Sequence, residues 1–217
     1  MSVAQERRER LQRARLYLVI DAEPAERVLP AALEGGVDIV QLREKTAGHD
    51  AIVRAGRRLR GLCDEHGALL IVNDRPDLAL ACGADGVHVG QDDETLAKVR
   101  ELVGADLLIG ISTHSPEQVE AGLGSIADYL GVGPVYATPT KPGREPVGLE
   151  LVRYAGAHAA AKPWFAIGGI DPDNASAVAE AGASRIAVVR AIRDADDPGA
   201  AAASLRAAVT EERARAH

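Results

Sequence analysis

Gln41, Arg43 and Lys45 stand two residues apart in the stretch Val40-Gln41-Leu42-Arg43-Glu44-Lys45. Along an extended strand, side chains alternate between faces. This spacing therefore sets an amide and two cations in one row and leaves Val40 and Leu42 to pack on the other side. The residues before it, Gly36-Val37-Asp38-Ile39, are apolar enough for a strand covered on both faces. Cations at the end of such a strand need anionic partners, because unpaired buried charge is costly. A phosphorylated ligand would supply them; a solvated surface strand that happens to carry Arg and Lys is the alternative.

Carboxylates follow at Asn73-Asp74 and Gln91-Asp92-Asp93. They suit Mg²⁺, an ion that takes one or two carboxylates and completes its shell with water and phosphate oxygens. Plain ion pairs and helix caps are the competing readings, with Asp92 placed to cap a helix beginning near Glu94. With Lys45 and Lys141 close by, a hard cation plus ammonium groups would grip a diphosphate. The segment from Ala137 to Gly148 is too rich in proline and glycine for regular structure. Thr138, Thr140 and Lys141 at its start suit a phosphate-contacting lid, against the plainer reading of a surface connection. Gly168-Gly169 lets the backbone approach a ligand and offer its N–H groups, or simply makes a tight turn. His88 ends a strand and is read as lining a pocket, the other histidines receive no role, and no Ser-His-Asp pattern suggests a hydrolytic triad.

The elements that must position these residues alternate. Strand-like runs begin at Leu16, Asp38, Leu69, Gly86, Leu107, Tyr129, Trp164 and Arg185, with helix-like segments at 50–66, 94–103, 116–122, 149–161 and 172–182 and another after Pro198. Pro24, Pro172 and Pro198 fall near helix starts, where a missing N–H does no harm. Eight strand signals with short helical connections predict a (β/α)₈ TIM barrel of the α/β class, without the glycine-rich first turn of an open doubly wound sheet. Residues 1–14 read as a charged helical lead-in and 15–217 as one barrel. In such a barrel chemistry gathers where strands run out into βα loops, which is where the polar residues above collect. The strand starts carry no matching collection and are expected to be structural.

Composition narrows the partners. The 217 residues include 47% hydrophobic but only 3% aromatic residues, which suits aliphatic strands under alanine-rich helices. A net charge of −7 argues against nucleic acid or an anionic membrane as partner, though a local cationic cluster can still attract a small anion. No apolar run has the length of a membrane span, and the N-terminus lacks a secretory signal. Cys63 and Cys82 lack metal-ligand spacing and are read as reduced core thiols, so a cytoplasmic location is expected.

Taken together, Gln41-Leu42-Arg43-Glu44-Lys45, Asn73-Asp74, His88-Val89-Gly90-Gln91-Asp92-Asp93, Gly110-Ile111-Ser112, the run from Gly131 to Lys141 and Ile167-Gly168-Gly169-Ile170 resemble the thiamine-phosphate synthase family, in order and register from about residue 16 to 192. The resemblance implies a barrel transferase with two small-molecule substrates. The ring nitrogen of 4-methyl-5-(2-phosphoethyl)thiazole would displace diphosphate from 4-amino-2-methyl-5-(diphosphooxymethyl)pyrimidine, giving thiamine phosphate. It further implies Mg²⁺ on Asp74 and Asp93, and pyrimidine diphosphate contacts from Gln41, Arg43, Lys45, Asn73, Ser112 and Lys141. Of these, Arg43, Lys45, Ser112 and Lys141 are implied to act in catalysis. Thr138, Thr140 and Gly169, with the backbone N–H groups of Val189 and Arg190, are implied to hold the thiazole phosphate. A homo-oligomer is compatible with all of this.

One departure stands at Arg190, where many family members carry serine; its guanidinium would meet the phosphate by charge or point outward. Two rivals remain. A thiazole tautomerase, a relative of similar fold, would need acid–base chemistry and no diphosphate grip. A phosphate-ligand sensor on a barrel would bind without releasing diphosphate.

Overall fold

Each aliphatic run becomes a parallel strand, and the helix after it returns the chain to the same end of the sheet. The order is α1 (Val3–Arg13), β1 (Leu16–Ile20), α2 (Ala22–Glu34), β2 (Ile39–Leu42), α3 (His49–His66), β3 (Leu69–Asn73), α4 (Pro76–Cys82), β4 (Gly86–Val89) and α5 (Leu96–Val103). Then come β5 (Leu108–Thr113), α6 (Pro116–Leu123), β6 (Tyr129–Val132), α7 (Gly148–His158), β7 (Trp164–Ile167), α8 (Ala175–Glu180), β8 (Ile186–Val188), α9 (Arg190–Arg193) and α10 (Pro198–Arg215). The computed structural model describes residues 2–139, 143, 145–159 and 162–215. Its eight strands close in sequence order, with β8 returning to pair parallel with β1. This is the (β/α)₈ barrel that the alternating pattern predicts.

Alternation along the strands divides the core in two. Leu16, Leu18, Val40, Leu42, Leu70, Val72, Ile109, Leu130 and Ala166 point outward and pack under the helices. Tyr17, Val19, Ile39, Leu69, Ile71, Leu108, Tyr129, Phe165 and Ala187 point inward and fill the barrel axis. Three of the chain's few aromatic side chains thus converge there, Tyr17 and Tyr129 each meeting the Phe165 ring edge-on, at 5.3 and 5.9 Å between centroids.

The barrel base carries more than the sequence reading allowed. α1 is not merely a lead-in: its N-cap Ser2 accepts the Gln5 N–H, and Leu11, only 2% exposed, joins the inner core with Ala14 and closes the bottom. Nor are the strand starts empty of charge. An aspartate precedes β2 and β4 and another precedes β6, each turning its carboxylate back onto the adjoining strand. Asp38 accepts the N–H groups of Arg15 and Leu16 at 2.7 and 3.0 Å, Asp85 that of Leu70 at 2.9 Å, and Asp128 that of Ile109 at 2.9 Å. Asp38 therefore lies just outside β2, where the sequence placed it as the first strand residue. Each aspartate meets arginines from the surrounding helices: Arg206 on Asp38, Arg7 and Arg60 on Asp85, Arg8 and Arg100 on Asp128. Burial works against ionisation of Asp85, yet the Arg60 charge and the hydrogen bonds from Leu70, Arg7 and Arg60 prevail and hold its carboxyl below the usual range.

Several helix boundaries also differ from expectation, among them the ends of α7 at His158 and α8 at Glu180. α5 begins at Leu96 with Thr95 as its N-cap, accepting from Lys98, so Asp92 does not cap it. α8 begins only at Ala175 because Asp171 Oδ1 accepts from Asp173 and Asn174, closing a local turn that competes with the first helical turn.

Candidate active site

The C-terminal ends of the strands open into a cleft of about 390 Å³. β2 contributes Gln41, from the inward row, and Arg43 just beyond its end, while Val40 and Leu42 pack outward as their spacing predicts. Asn73 ends β3, and Ser112 projects from β5. The same cleft is lined by Thr138 from the β6–α7 connection, Gly169 after β7, and Val189 and Arg190 after β8. These eight residues, together with His88 and Gly168, were singled out from the sequence and share one chamber.

Lys45, Asp74 and Asp93 do not line that chamber, but all three lie on βα loops at its rim. Glu44 shapes the loop carrying Lys45: its Oε1 accepts from the backbone N–H of Lys45 and Thr46 at 3.0 and 3.1 Å and from the Thr46 hydroxyl. The Thr46 N–H first, then the Thr46 hydroxyl and the N–H groups of Ala22 and Ala47, lower the Glu44 pKa against the opposing effect of burial. Among the described residues no carboxylate pairs with Arg43 or Lys45, so both cations remain available to an anion. Asp74 adopts a left-handed backbone, φ 60°, and donates its N–H to the His88 carbonyl at 2.8 Å; aspartate is among the few non-glycine residues that tolerate this conformation. Asp93 Oδ2 accepts the Gly90 N–H at 2.6 Å. Thr140 and Lys141 lie outside the described residues.

The Gly168-Gly169 pair owes its identity to packing as well as to any ligand. Both have positive φ, 109° and 64°. A Cβ on Gly168 would lie 2.4 Å from the Pro134 side chain and one on Gly169 2.7 Å from that of Tyr136. The two glycines thereby let the β6–α7 connection fold against the end of β7, where Tyr136 donates its N–H to the Gly168 carbonyl at 2.9 Å.

The floor of the cleft is a buried polar chain in which the sequence reading named Gln41 and Ser112 as site residues and His88 as pocket lining but missed Tyr17 and Tyr129. Gln41 Nε2 donates to the Tyr17 hydroxyl at 2.7 Å, and that hydroxyl lies 2.9 Å from the hydroxyl of Tyr129. Tyr129 reaches His88 Nδ1 at 3.1 Å, and His88 Nε2 reaches Ser112 Oγ at 3.0 Å. Burial pushes both phenols up, so each stays protonated. Space for the chain comes from Gly110, whose Cβ would fall 2.2 Å from the Tyr129 ring and 2.4 Å from His88 Nδ1. The available signal was tyrosine inside aliphatic strand runs at positions of inward parity.

The chain is similar to known proteins over most of its length. The family profile described as thiamine monophosphate synthase matches residues 16–192. A thiamine-phosphate synthase of Gloeobacter violaceus is 58% identical over 193 residues, covering 88% of this chain and 56% of that protein. The chain thus spans little more than half of that relative. One of Acidothermus cellulolyticus is 51% identical over 199 residues, covering 89% and 94%. Among solved structures, a thiamine phosphate pyrophosphorylase from Pyrococcus furiosus superposes with a TM-score of 0.84 at 37% identity, over 94% of this chain and 98% of that one. No helix among the described residues is long and apolar enough to cross a membrane. With a profile match over most of its length and relatives at half identity or better, the chain belongs to the thiamine monophosphate synthase family.

Proposed function

We propose that this chain joins 4-amino-2-methyl-5-(diphosphooxymethyl)pyrimidine to 4-methyl-5-(2-phosphoethyl)thiazole, releasing diphosphate and thiamine phosphate. The observation that carries this reading is one cleft lined by both sets of residues. Gln41, Arg43, Asn73 and Ser112 share it with Thr138, Gly169, Val189 and Arg190, so two molecules can be held in the same chamber. Placement of that kind supplies a large share of the barrier reduction in a bimolecular substitution.

The rest of the chemistry concerns charge. As the C–O bond breaks, negative charge gathers on the departing diphosphate, so Arg43, Lys45 and Lys141 would stabilise the transition state more than the bound substrate. The attacking thiazole nitrogen carries no proton, so no general base is needed. Asp74 and Asp93 are the residues that would hold Mg²⁺. The donors fit a hard cation: both are carboxylates on adjacent strand ends, with Asp93 oriented by the Gly90 N–H and Asp74 by its left-handed backbone. When bound, the ion would offset charge on the diphosphate oxygens. The buried unpaired thiols of Cys63 and Cys82 suit the reducing cytoplasm, where we place the enzyme.

The test is diphosphate release from the two purified substrates with and without Mg²⁺, alongside Asp74→Ala and Lys141→Ala. Mg²⁺-dependent release is expected, with both variants folded but losing most turnover. No release by the unaltered chain would overturn the reading, and full activity of either variant would remove that residue's role.

A further inference from the structure

The polar chain under the cleft has a direction, and the direction decides what the cleft can recognise. Tyr17 and Tyr129 each own one hydroxyl hydrogen, and burial keeps it there. Because Gln41 Nε2 donates to Tyr17, the Tyr17 hydrogen is available to the Tyr129 oxygen. The Tyr129 hydrogen then goes to His88 Nδ1, which must be bare to accept it. A neutral imidazole so bonded carries its hydrogen on Nε2 and donates it to Ser112 Oγ. Among the described residues the Ser112 hydrogen has no further acceptor, and it is turned to the cleft. At the other end the Gln41 carbonyl oxygen has no protein donor among the described residues. If the Gln41 amide were turned over, every bond could reverse, and the cleft would meet an NH₂ group and a bare serine lone pair instead.

We propose that Tyr17, Tyr129 and His88 are positioning residues that fix this polarity, presenting the Gln41 carbonyl and the Ser112 hydroxyl hydrogen to the cleft, and so select an aminopyrimidine over its oxo counterpart. The inference deepens the function proposed above and rests on it. An aminopyrimidine offers an exocyclic N–H donor and bare ring-nitrogen acceptors, which complement an oxygen acceptor and an O–H donor. The 4-oxo analogue offers a carbonyl and a ring N–H in their place. A site built to bond one pattern leaves buried polar groups unpaired with the other, a strong basis for rejection. All three also line the floor of the cleft, so the tautomer of the ligand-free protein is what separates positioning from direct contact. Gly110 belongs to the device, because only a residue without Cβ leaves room for Tyr129 and His88 to meet.

The experiment compares kcat/KM for the 4-amino and 4-oxo pyrimidine diphosphates in the unaltered enzyme, Tyr17→Phe, Tyr129→Phe, His88→Leu and His88→Gln. Breaking the chain should lower the amino-over-oxo preference roughly tenfold or more and raise KM for the pyrimidine substrate. KM for the thiazole phosphate should stay put, which a merely structural role for these residues would not predict. His88→Gln keeps an acceptor and a donor and should recover part of the preference that His88→Leu loses. Nitrogen-15 NMR of the ligand-free protein supplies a readout independent of turnover: His88 should be the Nε2–H tautomer. An Nδ1–H tautomer, or a preference unchanged within about twofold in Tyr129→Phe, would overturn the inference. Absence of condensation by the unaltered enzyme would instead refute the function on which it rests.

Discussion

Replacing Asp85 with asparagine probes the charged ring at the barrel base, and its cost can be worked from the contacts. The Asp85 side chain is 7% exposed and accepts from Arg7, Arg60 and the Leu70 N–H. The side chains of Arg7 and Arg60 are themselves only 16% and 15% exposed. Asparagine keeps the volume but removes the charge, and it turns an NH₂ group toward donors. Removing one partner of a buried pair costs about 3–5 kcal/mol, because the other charge is left uncompensated. Arg60 retains Asp64 at 2.9 Å and the Ala68 carbonyl, so the lower end applies, about 3 kcal/mol. In a chain of this size that is a fall in Tm of roughly 6–12 °C. The sign with pH follows from the lowered carboxyl pKa. The folded form binds its proton less readily than the unfolded chain, so the contribution is fully present above the ordinary value of 3.8 and fades as pH drops through it toward the folded value. Urea unfolding of both proteins between pH 7 and pH 3 is the assay. The gap should be flat down to about pH 5 and shrink below about pH 4. A gap under about 1 kcal/mol at pH 7, or one that does not change on acidification, would refute the reasoning.

Three further outcomes are expected. Gly110→Ala forces the Tyr129 and His88 rings apart and should cost about 1–3 kcal/mol by overpacking, read by denaturant titration, with a raised KM for the pyrimidine substrate. Leu11→Ala opens a cavity where α1 plugs the inner core and should cost about 2–5 kcal/mol; a loss below about 1 kcal/mol would mean that the helix only rests on the base. Arg190→Ala should raise KM for the thiazole phosphate and leave that for the pyrimidine alone; unchanged constants would mean that its guanidinium serves the neighbouring Asp194 instead.

How much of this was legible in the sequence depends on whether a feature is local. The strands are aliphatic runs of fixed parity, so their starts fall within a residue of the observed ones, and Gln41 and Arg43 face the cleft as their spacing requires. The ends of strands gather in space because parallel closure leaves them no alternative. Convergence across the barrel is another matter. Tyr17, Tyr129 and His88 lie on β1, β6 and β4, and only the stagger of the closed sheet brings their polar atoms within 2.9–3.1 Å. The aspartates before β2, β4 and β6 were visible but looked like strand or loop residues, because their partners come from α1, α3, α5 and α10. Glu44 was read as part of a motif, and its work in folding the Lys45 loop needed the backbone to be seen.

α1 seals the lower end of the barrel, so the chamber above it is a blind well with a single mouth. Traffic through one opening is stacked: a ring lowered onto Gln41 and Ser112 must arrive before whatever settles across the rim, and once joined the two leave together through the same mouth. Product inhibition in which only the last product to leave competes with the first substrate to enter would be the kinetic imprint of that plug.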